Sequence, residues 1–408
     1  MEIDIVSVPF SATGRAGGAA AAPAAVHAQG LIGRIRSALP NGWSPHETSP
    51  VLGGERSLIR SPDTGLLNEP ALAAMIDGVA DAVSASHADG HFPLLLGGDN
   101  PILLGGLVAT GHRPEGPAGL LVLSGRECAW PPDKSPTGCA SDCTLGLALL
   151  AQTNAVLSNG LSRRLPLVPP GAVAVLGARD AAELSAAGIP SLSGSILIRS
   201  DEDLGAIGAR PATGLTIARH ATDAIEHLRR TTDNWWLHID LSVLSTPALP
   251  TVDRRLPGGL SWEQLTALTK AALATPGLVG WSVTGYDADH DLERISAAHL
   301  ADYLVESVGA LPAAGRNGAA RSAPAGSALD ALAGGRPPGA GSSHGRQPAQ
   351  DQPTQDQPEG PAEKRPDAPA ESRSDARAEN RSDTRAESAA GGRPESSPAP
   401  RAQTVASP

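Results

Sequence analysis

Up to about residue 312 the chain alternates short apolar runs with stretches of helical periodicity. Ile3-Asp4-Ile5-Val6-Ser7-Val8 reads as a first strand. Pro70 sits where a helix begins, and Leu72, Met75, Ile76, Val79 and Val83 fall on one stripe of it. Pro93-Leu94-Leu95-Leu96 is a strand running into Gly97-Gly98, and Leu120 to Leu123 is the next. Ala172 to Leu176, Ser195 to Ile198, Trp235 to Leu241 and Val279 to Thr284 continue the series. Ser261-Trp262-Glu263-Gln264 is a capping box opening a helix with Leu265 and Leu268, and Ile295, Leu300, Leu304 and Val308 mark the last helix. Strands that are apolar throughout, separated by helices, predict a mostly parallel sheet covered on both faces, a three-layer α/β/α sandwich. Ligands of such sheets collect beyond the carboxyl ends of the strands. Three polar motifs fall at such ends: Gly97-Gly98-Asp99-Asn100, Ser124-Gly125-Arg126-Glu127-Cys128 and Asp240-Leu241-Ser242.

The pattern stops near residue 312. From Asn317 to Pro408 there is no Ile, Phe, Tyr, Trp or Cys, and Leu329, Leu332 and Val405 are the sizeable apolar residues. Such a segment cannot bury enough surface to offset the entropy of ordering its backbone. It also repeats loosely, with Ser374-Asp375-Ala376-Arg377-Ala378-Glu379 echoed by Ser382-Asp383-Thr384-Arg385-Ala386-Glu387. The expected organisation is one domain over residues 1–312 and a disordered, low-complexity tail over 313–408. The tail carries 12 basic and 12 acidic residues, so the net charge of -11 belongs to the domain. An acidic domain binds a phosphate backbone poorly, which argues against nucleic acid as a partner. The lack of any apolar run of about 18 residues argues against a membrane span. Met1-Glu2-Ile3-Asp4 lacks the basic start of a signal peptide, and Cys128, Cys139 and Cys143 suit a reduced compartment, so a cytoplasmic location is expected.

The three motifs, together with Gly17-Gly18, Pro23-Ala24-Ala25-Val26 and Pro257-Gly258-Gly259-Leu260-Ser261-Trp262, resemble in order those of the ureohydrolase family of arginases, agmatinases and formimidoylglutamases. The resemblance spans roughly residues 1 to 310. It implies an arginase-like α/β/α fold that forms oligomers, with two bridged Mn²⁺ ions holding a hydroxide that attacks a guanidinium carbon. Hard anionic ligands and imidazoles suit Mn²⁺, and the metal pair lowers the pKa of the bridging water. The family's six ligand positions fall on Asn100, Ser124, Arg126, Cys128, Asp240 and Ser242, where the family has His, Asp, His, Asp, Asp and Asp. Asp240 is the one retained ligand. Arg126 is the most consequential change, because a guanidinium stays protonated and offers donors only. Like charges about 4 Å apart repel by roughly 4 kcal/mol per unit product at an effective dielectric near 20, and a divalent ion doubles this. Arg126 is therefore expected to fill the site and pair with Asp240 or Asp99.

Further site residues carry competing readings. At the last strand end, whether Thr284 or Gly285 stands where the family has a guanidinium-gripping Glu, neither supplies a carboxylate. The loop Thr137 to Cys143 holds the region of the family's proton-shuttling His, and no His lies between His112 and His220. Asp99 is expected to cap the following helix. His238 shares a strand face with Asp240 and is read as a satisfied, half-buried histidine within the site. Asp99, His238, Cys143 and Gly285 are expected to line the cleft. Trp130 is read as a packing residue. Cys128, Cys139 and Cys143 leave open a soft Zn²⁺ site or a thiol nucleophile beside Arg126.

The favoured expectation is a catalytically inactive ureohydrolase-fold subunit with no bound metal, pairing with itself or with an active relative. An active hydrolase of a linear amidine or guanidino C–N bond with an atypical metal set is the alternative. A sensor that uses Asp99 and Asp240 to hold a small cationic ligand in the cleft is a third, opposed by the Arg126 charge unless the ligand is anionic.

Overall fold

The computed structural model describes residues 1–151, 157–252 and 255–313. The expected tail lies outside the described residues, apart from residue 313. Eight strands form one sheet: β1 (Glu2–Val8), β2 (Ser44–Glu47), β3 (Phe92–Gly97), β4 (Gly119–Leu123), β5 (Val173–Leu176), β6 (Leu197–Arg199), β7 (Trp235–Asp240) and β8 (Leu278–Thr284). Their spatial order is β2-β1-β3-β8-β7-β4-β5-β6, and every adjacent pair is parallel. The α-helices are α1 (Ala22–His27), α2 (Leu31–Ala38), α3 (Glu69–Ala88), α4 (Ile102–Gly111), α5 (Thr144–Leu149), α6 (Asn159–Ser162), α7 (Ala181–Ala186), α8 (Gly214–Leu228), α9 (Trp262–Leu273) and α10 (Ile295–Val308).

Strand alternation divides the core into two layers, as the period of two requires. Ile3, Ile5, Leu94, Leu96, Leu121, Leu123, Trp235, Leu237 and Ile239 face one side, where α1, α2, α8, α9 and α10 cover them. Val6, Val8, Leu95, Leu120, Val122, Val173, Val175 and Trp236 face the other, under α3, α4 and α5. The helix over Leu72, Met75, Ile76, Val79 and Val83 is α3, and each of these residues is buried. The Ser261 capping box is present with both reciprocal bonds at the start of α9.

Some local readings change. The run Ser195 to Ile198 forms a strand only from Leu197, because Leu192–Gly194 first makes a 3-10 turn. Edge strand β2, Ser-Pro-His-Glu, has no apolar run to announce it and pairs through its backbone with Glu2 to Ile5. Asp99 does not cap α4, whose N-cap is Pro101 without a side-chain bond. Its carboxylate instead accepts the Ala12 N–H at 3.0 Å, tying the Gly-Gly-Asp turn to the segment after β1.

Candidate functional site at the carboxyl ends of the strands

β3, β8, β7 and β4 end side by side, so the turns that follow them meet. The centre of this meeting is Asp240, the last residue of β7 and 3% exposed. Its Oδ2 accepts three side-chain hydrogen bonds: from Asn100 Nδ2 at 3.0 Å, Ser124 Oγ at 3.0 Å and Ser242 Oγ at 2.6 Å. Oδ1 accepts the Ser242 backbone N–H at 2.9 Å. Each donor is satisfied at its other end as well. Ser124 Oγ accepts the Arg126 N–H at 3.1 Å, and Ser242 Oγ accepts the Gly125 N–H at 3.3 Å. The Thr284 hydroxyl donates to Asn100 Oδ1 at 2.7 Å. Asn100, Ser124, Asp240 and Ser242, four of the six residues expected at ligand positions from the sequence, are thus joined in one hydrogen-bonded circuit around a single carboxylate.

Cys128 lies at the edge of that circuit, 3.8 Å from Asn100 Nδ2. Its backbone has φ +49°, a left-handed conformation uncommon for a residue with a side chain. Burial pushes its thiol well above the usual range, and Asp240, Asp180 and Asp142 add to this more than Arg126 opposes it. The thiolate that a nucleophilic role requires is therefore disfavoured, which weighs against the thiol nucleophile left open beside Arg126. Burial likewise raises Cys143. None of the three cysteines is in a disulfide, and among the described residues they form no cluster with ligand spacing.

Arg126 does not turn toward Asp240 or Asp99. Its Nη1 pairs with Glu183 Oε2 of α7 at 2.9 Å. The physical reason is that Asp240 Oδ2 is already occupied by three donors, while α7 presents a carboxylate on the outer side of the loop. The neighbouring Glu127 anchors the same loop: its N–H donates to Asp180 Oδ1 at 3.0 Å, and its carboxylate accepts Leu192 N–H at 2.7 Å and Ser191 Oγ at 2.8 Å. Burial raises Asp180 to about 6, with the Glu127 N–H and Arg126 pulling the other way. Arg179 staples the turn after β7, donating to the carbonyls of Ser242 at 2.8 Å, Leu244 at 3.1 Å and Val243 at 3.2 Å. Glu183, Asp180 and Arg179 carried no motif by which sequence reasoning could find them.

His238 lies beneath Asp240 on the same strand face, more deeply buried than expected at 2% exposure. Its Nδ1 is 2.8 Å from Ser282 Oγ, which also accepts the Trp236 indole N–H at 3.0 Å. Burial lowers His238 to about 4 despite the pull of the Asp240 carboxylate, so the imidazole is neutral at neutral pH.

Above the circuit opens a cleft of about 760 Å³. Asp99, Asn100, Arg126, Cys128, Asp240, Ser242 and Gly285 line it, together with Thr137, Cys139, Ser141 and Asp142 of the loop after β4. Gly285 has φ +90°, and a Cβ there would sit 2.6 Å from Asp240 Oδ1, so this turn admits only glycine beside the carboxylate. His238 and Cys143, expected on the cleft wall, are instead packed behind it in the core. Trp130 packs in the same layer at 8% exposure. The rim adds residues the sequence motifs did not single out: Arg15, Asp287, Asp289 and His290. His290 is paired with Asp287 at 3.1 Å and supplies an imidazole that the 137–143 loop lacks.

A parallel α/β sheet with a polar cleft at adjoining carboxyl strand ends is the arrangement in which open α/β proteins hold their ligands. The Arginase family model matches residues 1–309, and the chain belongs to the arginase family. An arginase of Staphylococcus aureus (strain MSSA476) is 25% identical over 264 residues, covering 64% of this chain and 82% of that protein. The native arginase of Bacillus caldovelox superposes with a TM-score of 0.62 at 20% identity, over 75% of this chain and 98% of that one. The formimidoylglutamase of Bacillus subtilis has a TM-score of 0.56 at 15% identity, over 76% of this chain and 86% of that one. These structural likenesses establish the arginase-like fold.

Proposed function

We propose that this chain is a ureohydrolase-fold protein that works without the family's two-metal centre, as a binding or structural subunit rather than a hydrolase. One observation carries the reading: Asn100, Ser124 and Ser242 all donate to Asp240 Oδ2. The donor set does not fit two Mn²⁺ ions. One carboxylate, one amide, two hydroxyls, one buried thiol and one guanidinium stand at the six positions. Amide and hydroxyl oxygens bring no charge to balance two divalent ions, and the guanidinium has no lone pair to give.

The cleft remains open, with Asp287 and Asp289 on its rim, and Arg126 is neutralised by Glu183. This removes the objection that a free guanidinium would repel a cationic ligand. The binding role therefore suits a small amino or guanidino compound. We also propose a cytoplasmic location and assembly with a second copy or with an active relative. Among the described residues no helix is long and apolar enough to cross a membrane.

The test is metal content and turnover together. Purified protein incubated with excess Mn²⁺ and desalted should retain almost none, and should release neither urea nor ammonia from arginine, agmatine or formimidoylglutamate. Two tightly held Mn²⁺ ions per chain with measurable turnover would overturn the reading in favour of the active-hydrolase alternative. A companion variant restores Asn100→His, Ser124→Asp, Arg126→His, Cys128→Asp and Ser242→Asp together and is expected to regain Mn²⁺. Light scattering of the full chain, alone and mixed with an active arginase, reads the assembly.

A further inference from the structure

At the amino ends of the strands, on the far edge of the sheet from the cleft, Glu2, Asp4, His46 and His91 converge. Their ligating atoms all lie within 4.8 Å of one another. Glu2 and Asp4 are alternate residues of β1, His46 is the β2 residue paired with Asp4, and His91 immediately precedes β3. The sheet register, not a flexible loop, thus sets at least three of the four.

Asp4 is the centre of the group. It is 4% exposed, and His91 Nδ1 reaches both of its oxygens, at 3.1 Å from Oδ1 and 3.3 Å from Oδ2. Oδ2 accepts the Ser86 hydroxyl of α3 at 2.5 Å. Oδ1 faces both imidazoles, at 2.8 Å from His46 Nδ1 and 3.1 Å from His91 Nδ1. His91 Nε2 lies 3.7 Å from Glu2 Oε2. Ligands of a tetrahedral ion with bonds near 2.0–2.1 Å stand about 3.4 Å apart. The Asp4 Oδ1 contacts to Nδ1 of His46 and His91 fall just below that spacing; the 3.7 Å contact to Glu2 is made by the other His91 nitrogen, and with one ligating atom per residue the four lie within 4.8 Å. Ser86 supplies the outer hydrogen bond that fixes a ligating carboxylate. The His46 side chain is 55% exposed, so an ion has a route in from solvent.

We infer that Glu2, Asp4, His46 and His91 form a Zn²⁺ site that clamps β1, β2 and the start of β3 together. Two imidazoles and two carboxylates are a borderline donor set that zinc accepts tetrahedrally, and that ranks Zn²⁺ far above Mn²⁺. Edge strand β2 is only four residues long, carries a proline and is paired on one side alone, so a clamp at His46 holds a weakly anchored element. Binding replaces the present His–Asp hydrogen bonds with metal–ligand bonds. The site is independent of the Asp240 circuit.

The test is calorimetric titration of the full chain with Zn²⁺, repeated for His46→Ala, His91→Ala and Asp240→Asn. One equivalent should bind, each histidine variant should weaken it more than about tenfold, and Asp240→Asn should leave it unchanged. His46 is largely exposed, so His46→Ala keeps the comparison valid if another variant folds poorly. Titration with Co²⁺ reports the donors: visible d–d bands of tetrahedral intensity without thiolate charge-transfer absorption are expected. No binding to the folded wild type, binding that survives His46→Ala and His91→Ala, or charge-transfer bands from the cysteines would each overturn the inference.

Discussion

A carboxylate that accepts three side-chain hydrogen bonds on one oxygen is held by its neighbours and holds them in turn. Asn100, Ser124 and Ser242 are the residues that share Asp240 Oδ2, and Asn100, Ser124 and Asp240 itself are buried. Removing the acceptor strands several donors away from water, and each unmet buried group costs about 1–3 kcal/mol. Asp240→Asn keeps the volume but points an amide donor at other donors, and should destabilise the chain by roughly 2–4 kcal/mol. Ser242→Ala removes one donor and leaves the others paired, so it should cost about 1 kcal/mol. Urea denaturation of both variants, prepared without added metal, decides the matter. A site shaped chiefly to hold cations would gain stability when its lone carboxylate is neutralised, and an Asp240→Asn protein as stable as wild type would contradict the circuit described here.

At the scale of elements, two turns test what positions the site. Gly98 lies against the end of β1, where a Cβ would come within 2.1 Å of the Phe10 carbonyl oxygen. Gly98→Ala must therefore push β3 and β1 apart at the cleft, and should destabilise by about 2 kcal/mol or more. Ser261→Ala loses one half of the α9 capping box, far from the cleft, and should cost about 1 kcal/mol. Thermal melts of the pair separate these effects: equal losses would show that the Gly-Gly turn tolerates a side chain and is not a tight crossing. Both features were legible in the sequence, because a capping box and a glycine pair at a strand end are local. The buried strands were legible for the same reason, their apolar runs being continuous. Strand β2 was not, since Ser-Pro-His-Glu is an edge held by backbone bonds. The partner of Arg126 was not legible either. Glu183 lies 57 residues away on a short helix, and only the fold could choose it over Asp240 or Asp99. Motif frames encode where the chain turns; the pairing of charges across the turns depends on which oxygens are already taken.

The whole molecule joins these local arrangements through its proton balance, and two buried groups near the cleft pull stability in opposite directions with pH. His238 falls from 6.5 to about 4 because burial disfavours the imidazolium. The unfolded chain therefore binds a proton that the folded chain refuses between about pH 4 and 6.5. On this account stability is fully present above 6.5 and is lost as pH falls toward 4. Asp180 rises from 3.8 to about 6 because burial disfavours its carboxylate. Here the folded chain keeps a proton that the unfolded chain releases, so stability is fully present below 3.8 and is lost as pH rises through 6. Between pH 4 and 6 the two slopes oppose each other, each approaching about 1 kcal/mol per pH unit. Substituting one group should expose the other. His238→Gln should be less sensitive to acid than wild type over this window, its stability falling with rising pH relative to the parent. Asp180→Asn, whose amide oxygen can still accept the Glu127 N–H, should show the reverse and lose stability more steeply on acidification. Guanidinium denaturation at half-unit steps from pH 4 to 7 measures both differences, and the remaining titrating groups cancel because they are common to all three proteins. Parallel pH profiles for wild type and both variants would mean that neither group carries its proton as its surroundings dictate.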